Sequence, residues 1–260
     1  MSDRRIDLNS DVGEGFGAWT IGNDAALIPL LSSANIACGF HAGDPLVMEH
    51  TVGLAVAAGV AIGAHPGYPD LAGFGRRDLD MTAAELEAAI VYQVGALAAF
   101  ARAAGSEIRH VKPHGALYNR AAIDPSVAEA IARSVRRLSR ELILVGLAGS
   151  VMLDAGRAAG LSVAAEAFAD RAYEPDGRLR PRRLPGAVHT DPETAAAQAV
   201  AIVRDCRVTA HDGSIVEVRA DTICLHGDTP GSPAIARAVR IGLEAAGVAI
   251  AAPGRPGSVD

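Results

Sequence analysis

The single lysine of this chain lies between two histidines, and its type and its position both point to chemistry. All but one of the 24 basic side chains are arginine, and the exception, Lys112, stands in the segment His110-Val111-Lys112-Pro113-His114. Arginine and lysine are nearly interchangeable on a solvated surface, but only lysine offers a compact, titratable ammonium. The alternative is chance, one basic position having kept lysine. We interpret Lys112 as a functional residue.

Further ionisable and polar residues follow other predicted strands, each where the strand ends. In parallel α/β folds the loops at the carboxyl ends of the strands build the functional site. Loops at the opposite ends carry mainly Gly, Pro, Arg and Ser, and this asymmetry predicts that the polar residues share one mouth. We expect catalytic roles for Asp11, His41, His65, Lys112 and His114, and substrate contacts from Asn9, Glu166, Asp170, Arg171 and His226.

These residue types supply carboxylates, imidazoles that titrate near neutral pH, and one ammonium that offsets negative charge developing on oxygen. Asp11 with His41 or His65 is also a ligand set for a divalent metal, but no HExxH motif or tight ligand spacing is present, so a metal stays open. The absence of a Gly-x-Ser-x-Gly motif argues against a serine hydrolase. We expect no catalytic role for the remaining histidines, His50, His110, His189 and His211.

Structural roles compete with each of these interpretations. Asp11 suits a turn cap, and His41 suits a hydrogen-bonded core position. His65 precedes a Pro-Gly turn and suits a brace for it. Two of the acids, Glu166 and Asp170, suit an ion pair with Arg171, which follows them closely.

Two Gly-rich turns precede predicted helices and suit the binding of an anion or a phosphate at a helix N-terminus. Neither matches the P-loop, because no Gly-Lys-Ser/Thr follows. A βα turn also needs glycine for geometry alone, so both interpretations stay open. The residues that we expect to bind a nucleotide are Gly146, Gly149 and Ser150 in the first turn, and Gly227 and Asp228 in the second.

Composition limits the class of protein. The chain has 260 residues, of which 50% are hydrophobic and 21% charged, with a net charge of −6. This length is typical of one α/β barrel, which we assign to residues 1–252, with a flexible tail over 253–260. No basic patch interleaved with aromatics indicates a nucleic-acid partner. No signal peptide or uncharged membrane-spanning stretch is evident, so we expect a cytoplasmic protein without disulfides.

Short β-branched runs alternate with longer Ala/Leu-rich stretches along the chain. Capping patterns mark helix starts at Asp44-Pro45, Asp124-Pro125 and Asp191-Pro192, and a capping box begins at Thr82. The segment Asp212-Gly213 predicts a hairpin insertion. Seven or eight βα units in series predict a TIM-like parallel barrel, with an open doubly wound sheet as the alternative. We expect strands at residues 6–8, 35–38, 60–64, 108–111, 142–145, 161–165, 222–225 and 248–250.

Six segments in order resemble the LamB/YcsF family. They are DLNSDVGEGFG (7–17), ANIACGFHAGD (34–44), AHPGYPDLAGFGRR (64–77), HVKPHGALYN (110–119), FADR (168–171) and CLHGD (224–228). The resemblance implies a distorted TIM-like barrel related to the polysaccharide deacetylase fold, with seven strands as one option. It also implies the A component of an ATP-dependent 5-oxoprolinase. Such an enzyme converts 5-oxoproline to L-glutamate while ATP becomes ADP and phosphate, and it works with B and C subunits.

The reaction implied by the resemblance suggests roles for the candidate residues. A lactam resists water, and ATP can turn its carbonyl oxygen into a phosphorylated leaving group; attack then needs a base, and the ring nitrogen needs a proton. We expect Asp11 or His65 as the base, His114 as the acid and Lys112 at the carbonyl or phosphoryl oxygen. Arg171 is expected to bind the substrate carboxylate. Two alternatives are a free-standing metal-dependent amidase or deacetylase and a non-catalytic ligand-binding regulatory subunit; whether the chain forms a homo-oligomer stays open.

Overall fold

Seven parallel strands close into a barrel, which excludes the open doubly wound sheet. The computed structural model describes residues 4–254. Pairing of the first strand with the last long one, from Asp7 opposite Thr222 to Asp11 opposite His226, completes the ring. In chain order the barrel strands are β1 (Arg5–Val12), β2 (Ser33–Ala37), β3 (Ala61–His65), β4 (Ile108–Val111), β5 (Ile143–Leu147), β6 (Ser162–Phe168) and β9 (Thr222–His226).

The remaining strands lie outside the closed ring. The predicted hairpin is confirmed as the antiparallel pair β7 (Arg207–Thr209) and β8 (Ile215–Glu217). The last short strand, β10 (Ala249–Ile250), pairs only with the first residues of β1. Residues 253 and 254 follow it without regular structure. The rest of the predicted tail, 255–260, lies outside the described residues.

Helices join the strands and cover the barrel. The predicted caps are confirmed: the side chain of Asp44 accepts from the backbone of Leu46 and Val47, and Thr82 and Glu85 form a reciprocal capping box. The helices are α1 (Asp24–Leu27), α2 (Pro45–Ala58), α3 (Ala83–Ala103), α4 (Gly115–Ala121), α5 (Pro125–Leu138), α6 (Val151–Ala158), α7 (Pro192–Asp205) and α8 (Ser232–Ala245), with a 3₁₀ turn at Ile28–Leu30.

One helix, α3, is long and apolar enough to cross a membrane by length and composition alone. In this fold it is one of the helices that surround the barrel. Its buried face includes Gln93, whose amide bonds both the N–H and the carbonyl of Gly67 in the loop after β3. We therefore treat α3 as a helix of the barrel.

The interior of the barrel is polar. Lys112, directly after β4, meets side chains from β1 and β6, although these strands are not neighbours in the sheet, so they meet inside the ring. Asp7, Asn9 and Asp11 alternate along β1 and are all buried, whereas Leu8 between them belongs to the apolar core. Inward-facing residues of β1 therefore deliver polar groups to the barrel axis, and the outward-facing ones pack against helices.

Asp7 lies deep in the barrel and predicts a pH-dependent stability. Its carboxylate accepts from the hydroxyls of Ser32 (2.6 Å), Ser33 (2.8 Å) and Thr222 (2.5 Å). Burial, only partly offset by these bonds, raises its pKa from 3.8 to about 6. The folded state therefore binds this proton more tightly than the unfolded state does. The resulting stability is present below about pH 4 and is lost as the pH rises through about 6.

We expect Asp7→Asn to remove this component of the pH dependence. Wild-type protein should lose about 3 kcal/mol of unfolding free energy from this group, at 1.36 kcal/mol per pKa unit, and the variant should not. Urea unfolding at pH 4.5, 5.5, 6.5 and 7.5 measures the difference in slope. The exposed Asp80→Asn variant is the control. Parallel wild-type and Asp7→Asn profiles would contradict this assignment.

Candidate active site

Lys112 is the centre of the polar interior. Its ammonium lies 2.8 Å from Asp11 Oδ1, 3.0 Å from Glu166 Oε1 and 3.0 Å from the sulfur of Cys224. Only 2% of the side chain is exposed. Burial opposes the charge on this amine, but Asp11, Cys224 and Glu166 together hold the pKa of Lys112 well above its usual value. The lysine is therefore a fixed ammonium rather than a nucleophilic amine.

Asp11 joins this ammonium to a histidine. One carboxylate oxygen accepts from Lys112 and from the amide of Asn35 (2.8 Å), and the other lies 3.3 Å from Nε2 of His65. Burial alone would raise the pKa of Asp11, but the charges of His65 and Lys112 hold it well below its usual value. Asp11 is accordingly a carboxylate with one oxygen committed to Lys112 and one facing His65.

Amide side chains below Asp11 fix the positions of the charged groups. Asn35 donates to Asn9 Oδ1 (2.7 Å) as well as to Asp11, and its own oxygen accepts from Nε2 of His110 (2.7 Å). Asn9 in turn donates to Glu166 (3.1 Å) and Thr222 (2.6 Å). Each amide has its oxygen and nitrogen assigned by its partners, so the network permits one arrangement. His110, for which we expected no catalytic role, lies in this supporting layer.

Backbone carbonyls fix the tautomers of two histidines. Nδ1 of His65 lies 2.7 Å from the carbonyl oxygen of Lys112, and Nε2 of His114 lies 2.9 Å from that of Phe74. A carbonyl only accepts, so both ring nitrogens carry hydrogen. The other nitrogens, His65 Nε2 and His114 Nδ1, lie 2.9 Å apart, and in the neutral rings both present lone pairs. A proton or a cation shared between them would relieve the repulsion of these lone pairs.

Two more buried groups face the same point. The ring of His41 stacks on that of His114, with centroids 3.7 Å apart, and Glu14 Oε1 lies 3.4 Å from His114 Nδ1 and 3.5 Å from His41 Nε2. Glu14 Oε1 and both nitrogens of His41 are buried without hydrogen-bond partners. Burial raises the pKa of Glu14 well above its usual value and lowers those of His41 and His114 well below theirs.

Glu14, His41, His65 and His114 are arranged to bind a metal ion. One ligand atom each from Glu14, His41, His65 and His114 all lie within 4.8 Å of one another. Neutral imidazoles and a carboxylate are the donors that Zn²⁺ and similar divalent ions prefer. Buried polar atoms without partners are costly, and a cation would satisfy those of Glu14 and His41.

The loop after β3 covers the stacked histidines. Phe74 adopts a left-handed backbone (φ 54°), and its ring meets those of His41 and His114 edge-on. At Gly75 a Cβ would lie 2.7 Å from His114 Cδ2 and 2.8 Å from His41 Cβ, so only glycine fits there. An ion pair between Asp70 and Arg77 ties the loop together.

A second acid–histidine pair lies at the ends of β6 and β9. Asp170 accepts from the backbone N–H of His226 (2.9 Å) and contacts its Nδ1 (3.0 Å), and the imidazole stacks on Phe168. The next residue, Gly227, has no room for a side chain, because a Cβ would lie 2.3 Å from the carbonyl oxygen of Asp11. Gly227 therefore packs against the backbone of Asp11.

Three expectations do not match the structure. The guanidinium of Arg171 is buried and donates to the carbonyls of Ala187 (3.1 Å) and Arg180 (2.6 Å), so it braces its own loop instead of offering a free carboxylate site. The alternative ion pairs with Arg171 are also wrong, because Glu166 contacts Lys112 and Asp170 contacts His226.

The two Gly-rich turns are separated. Gly149 and Ser150 line a cavity of about 360 Å³ whose lining includes none of the charged residues described above, and Gly146 packs on α6 side chains. In contrast, Asp228 lies at the barrel mouth, 2.5 Å from Arg76. The first turn therefore does not share a site with Lys112, whereas the second is adjacent to it.

Some contributors were not predicted from the sequence. Glu14 lies in the loop after β1, and its position three residues after Asp11 was the sequence feature that could have indicated a role in the site. Asn35 and Cys224 lie inside buried strands, where the alternation of polar and apolar residues over 33–36 and 222–226 was the available signal. Arg76 lies between Gly75 and a second arginine, in a segment that resembled the family but carried no assigned role.

Fold and site together define a class: a closed parallel α/β barrel whose mouth combines a buried Asp–His–Lys centre with a His/Glu cluster. The LamB/YcsF family profile matches residues 6–256, so the chain belongs to the LamB/YcsF family.

Known relatives agree with this placement over nearly the whole chain. A protein from Chloroflexus aggregans, named as the A component of 5-oxoprolinase, is 62% identical over 248 residues, covering 95% of this chain and 98% of the relative. A protein of the same name from Heliobacterium modesticaldum is 57% identical at the same coverage. The crystal structure of a lactam utilization protein from Thermus thermophilus superposes with a TM-score of 0.90 at 51% identity, over 96% of this chain and 100% of that one.

Proposed function

We propose that this chain is the A component of an ATP-dependent 5-oxoprolinase. It opens the lactam of 5-oxoproline to give L-glutamate, coupled to hydrolysis of ATP to ADP and phosphate, and acts with B and C subunits in the cytoplasm. Support comes from relatives named as this component of 5-oxoprolinase, at 53–62% identity, and from the superposed lactam utilization protein.

The contact of Lys112 with Asp11 and Glu166 is the observation that carries the proposal. A lactam carbonyl gains negative charge on oxygen when water adds, and a fixed ammonium in a water-poor site stabilises that charge once the oxygen replaces the Cys224 sulfur as the third partner of Lys112. The same ammonium suits a phosphorylated carbonyl oxygen. A lysine with two carboxylate neighbours keeps its charge, whereas an unpaired buried lysine would lose it.

The histidine pair supplies the proton transfers. Water adds to the phosphorylated carbonyl carbon, the ring C–N bond breaks as the departing nitrogen takes up a proton, and a second water releases phosphate from the acyl phosphate that remains. His65 Nε2 faces Asp11 and is the base in this scheme, with Asp11 holding the ring that becomes charged. His114, 2.9 Å away, is the group through which the proton returns to the ring nitrogen.

Asp170 and His226 lie at the ends of β6 and β9 and are assigned to substrate contacts, whereas Asn9 lies below Asp11 and positions Glu166. The nucleotide is best placed at Gly227 and Asp228, because ATP that activates the lactam carbonyl must approach Lys112. The turn at Gly149 and Ser150 borders a different cavity.

Glu14, His41, His65 and His114 would hold a divalent metal ion as an alternative to the proton transfers above, because His65 Nε2 and His114 Nδ1 are the ring nitrogens left to bind it. A bound ion of this kind supplies a Lewis acid that polarises a carbonyl or lowers the pKa of water. We expect the purified chain to bind Co²⁺ or Zn²⁺ at one site per chain, and His41→Ala to weaken binding by more than ~10-fold. Calorimetry and the visible spectrum of Co²⁺ measure this, with the exposed His50→Ala as control. Equal affinities for wild-type and His41→Ala would exclude this site.

Reconstitution tests the proposed function. The chain is co-expressed with B and C subunits, and glutamate and phosphate release are measured with 5-oxoproline, with and without ATP. We expect glutamate release only in the complex and only with ATP. Activity of the isolated chain that needs no ATP and is lost on chelation would indicate a free-standing metal-dependent amidase. Full activity of the complex after joint substitution of Asp11, His65 and Lys112 would indicate a non-catalytic ligand-binding subunit.

A further inference from the structure

Two arginines at the barrel mouth share one carboxylate. Arg76 Nη2 lies 2.5 Å from Asp228 Oδ2, and Arg182 Nη2 lies 3.8 Å from Asp228 Oδ1. The arginine side chains are 37% and 28% exposed, whereas Asp228 is only 14% exposed. Two guanidinium groups thus face one carboxylate, and Oδ1 of that carboxylate is buried without a hydrogen bond. Arg76, Arg182 and Asp228 together carry one net positive charge, and both arginines are partly exposed to solvent.

The surrounding charge agrees with this excess. Burial, together with the positive charges of Arg182 and Arg76, lowers the pKa of Arg171 to about 10. Asp170 adds a negative charge here and Arg171 a positive one, so three arginines face two carboxylates. A further anion beside Arg76 and Arg182 would therefore be stabilised.

The arginine pair is adjacent to the reacting centre. Arg76 follows the loop residues that cover the stacked histidines, and its guanidinium lies 4.8 Å from the ring centroid of Phe74. Asp228 follows Gly227, whose backbone packs on the carbonyl of Asp11. The charges of Asp228 and Arg76 both act on Glu14. An anion held by the arginines therefore lies at the entrance above Asp11 and Glu14.

We infer that Arg76 and Arg182 bind the carboxylate of the lactam substrate, and that Asp228 is the counter-ion which this carboxylate displaces. The inference rests on the proposed function. In 5-oxoproline the carboxylate is attached to the carbon next to the ring nitrogen, so a site at the mouth can hold it while the lactam points inward. Arginine binds carboxylates through two parallel hydrogen bonds, and both guanidiniums here have solvent-accessible surface. Arg171 is buried, and its Nε and Nη2 donate to backbone carbonyls, so we do not assign it this role.

Displacement of Asp228 also gives a basis for selectivity. A neutral lactam offers no charge to compete for the arginines, so it leaves the Arg76–Asp228 pair in place across the mouth. An anionic lactam replaces one carboxylate with another and opens that pair. The site should therefore discriminate 5-oxoproline from its carboxamide, although both carry the same ring.

The test uses Arg76→Gln, Arg182→Gln and the double variant in the assembled complex. Loss of a charge-assisted pair should raise KM for 5-oxoproline by about 10-fold to 100-fold in the single variants, with a smaller effect on kcat. Preference for 5-oxoproline over 5-oxoprolinamide should fall toward unity in the double variant. Asp228→Asn should lower KM, because the competing carboxylate is gone. Arg178→Gln, an exposed arginine of the same loop that pairs with Asp176, is the matched control.

The outcomes separate this inference from the proposed function. Circular dichroism and melting temperature establish that each variant is folded. A wild-type complex that releases no glutamate from 5-oxoproline would refute the proposed function, and the inference with it. An active wild-type complex with unchanged KM and unchanged discrimination in the double variant would refute the arginine site alone. A KM that rises equally for the acid and the amide would also refute it, because that result indicates a structural role.

Discussion

Replacement of Lys112 with methionine should stop turnover and destabilise the fold together. The ammonium is the only cation within bonding distance of both Asp11 Oδ1 and Glu166 Oε1 among the ion pairs of residues 4–254. Its removal leaves two buried carboxylates without their shared partner, which costs about 3–5 kcal/mol for a broken buried pair. Loss of the charge opposite the reacting oxygen should lower kcat by about 10²–10³-fold. Urea unfolding and turnover in the assembled complex measure the two effects.

A second substitution separates charge balance from catalysis. In Lys112→Met with Glu166→Gln, one of the stranded carboxylates is removed, so much of the lost stability should return while turnover stays low. Lys112→Arg keeps the charge but must place a larger planar group where only 2% of the side chain is exposed, and we expect it to be inactive. Arg109→Lys, exposed on the same strand, is the control. Normal turnover of Lys112→Arg would remove Lys112 from the mechanism.

Local signals were sufficient to predict the barrel. The carboxylates of Asp44, Asp124 and Asp191 cap three helices in the predicted way, each followed by proline in the first turn. Helices between short strands require parallel pairing, and parallel pairing places all strand ends at one mouth. For that reason the convergence of Asp11, His65 and Lys112 followed from element order alone.

Partners within the site could not be predicted in the same way. The strands that carry Asn35 and Cys224 do alternate, as Ser-Ala-Asn-Ile over 33–36 and Thr-Ile-Cys-Leu-His over 222–226, so the inward face was available from the sequence, but the partner of each side chain across the barrel was not. Contacts between loops, such as the stacking of His41 on His114, depend on tertiary geometry that spacing does not encode. Arg171 is one example. Its position after Asp170 suggested a substrate contact, but its loop folds back, and carbonyls of that loop accept from its Nε and Nη2.

Asp11→Asn should abolish turnover while leaving the fold intact. The amide has the shape of the carboxylate, and its oxygen can still accept from Lys112 and Asn35. Its NH₂ group then faces Nε2 of His65, where the carboxylate oxygen lay at 3.3 Å. Donation from that NH₂ occupies the lone pair that must accept the proton of water, and no negative charge remains to support an imidazolium. We expect kcat to fall by about 10³–10⁴-fold, with little change in KM.

Two measurements distinguish this cause from a general disturbance of the site. Co²⁺ binding should weaken, because the amide NH₂ occupies the His65 nitrogen that faces the ligand cluster, whereas the melting temperature should fall by only a few degrees. Asp154→Asn, an exposed acid paired with Arg157 on α6, should behave as wild type. A kcat within tenfold of wild type in Asp11→Asn would assign the base to another group. His65 would then have a structural role, because the new amide would have blocked its Nε2 without a loss of turnover.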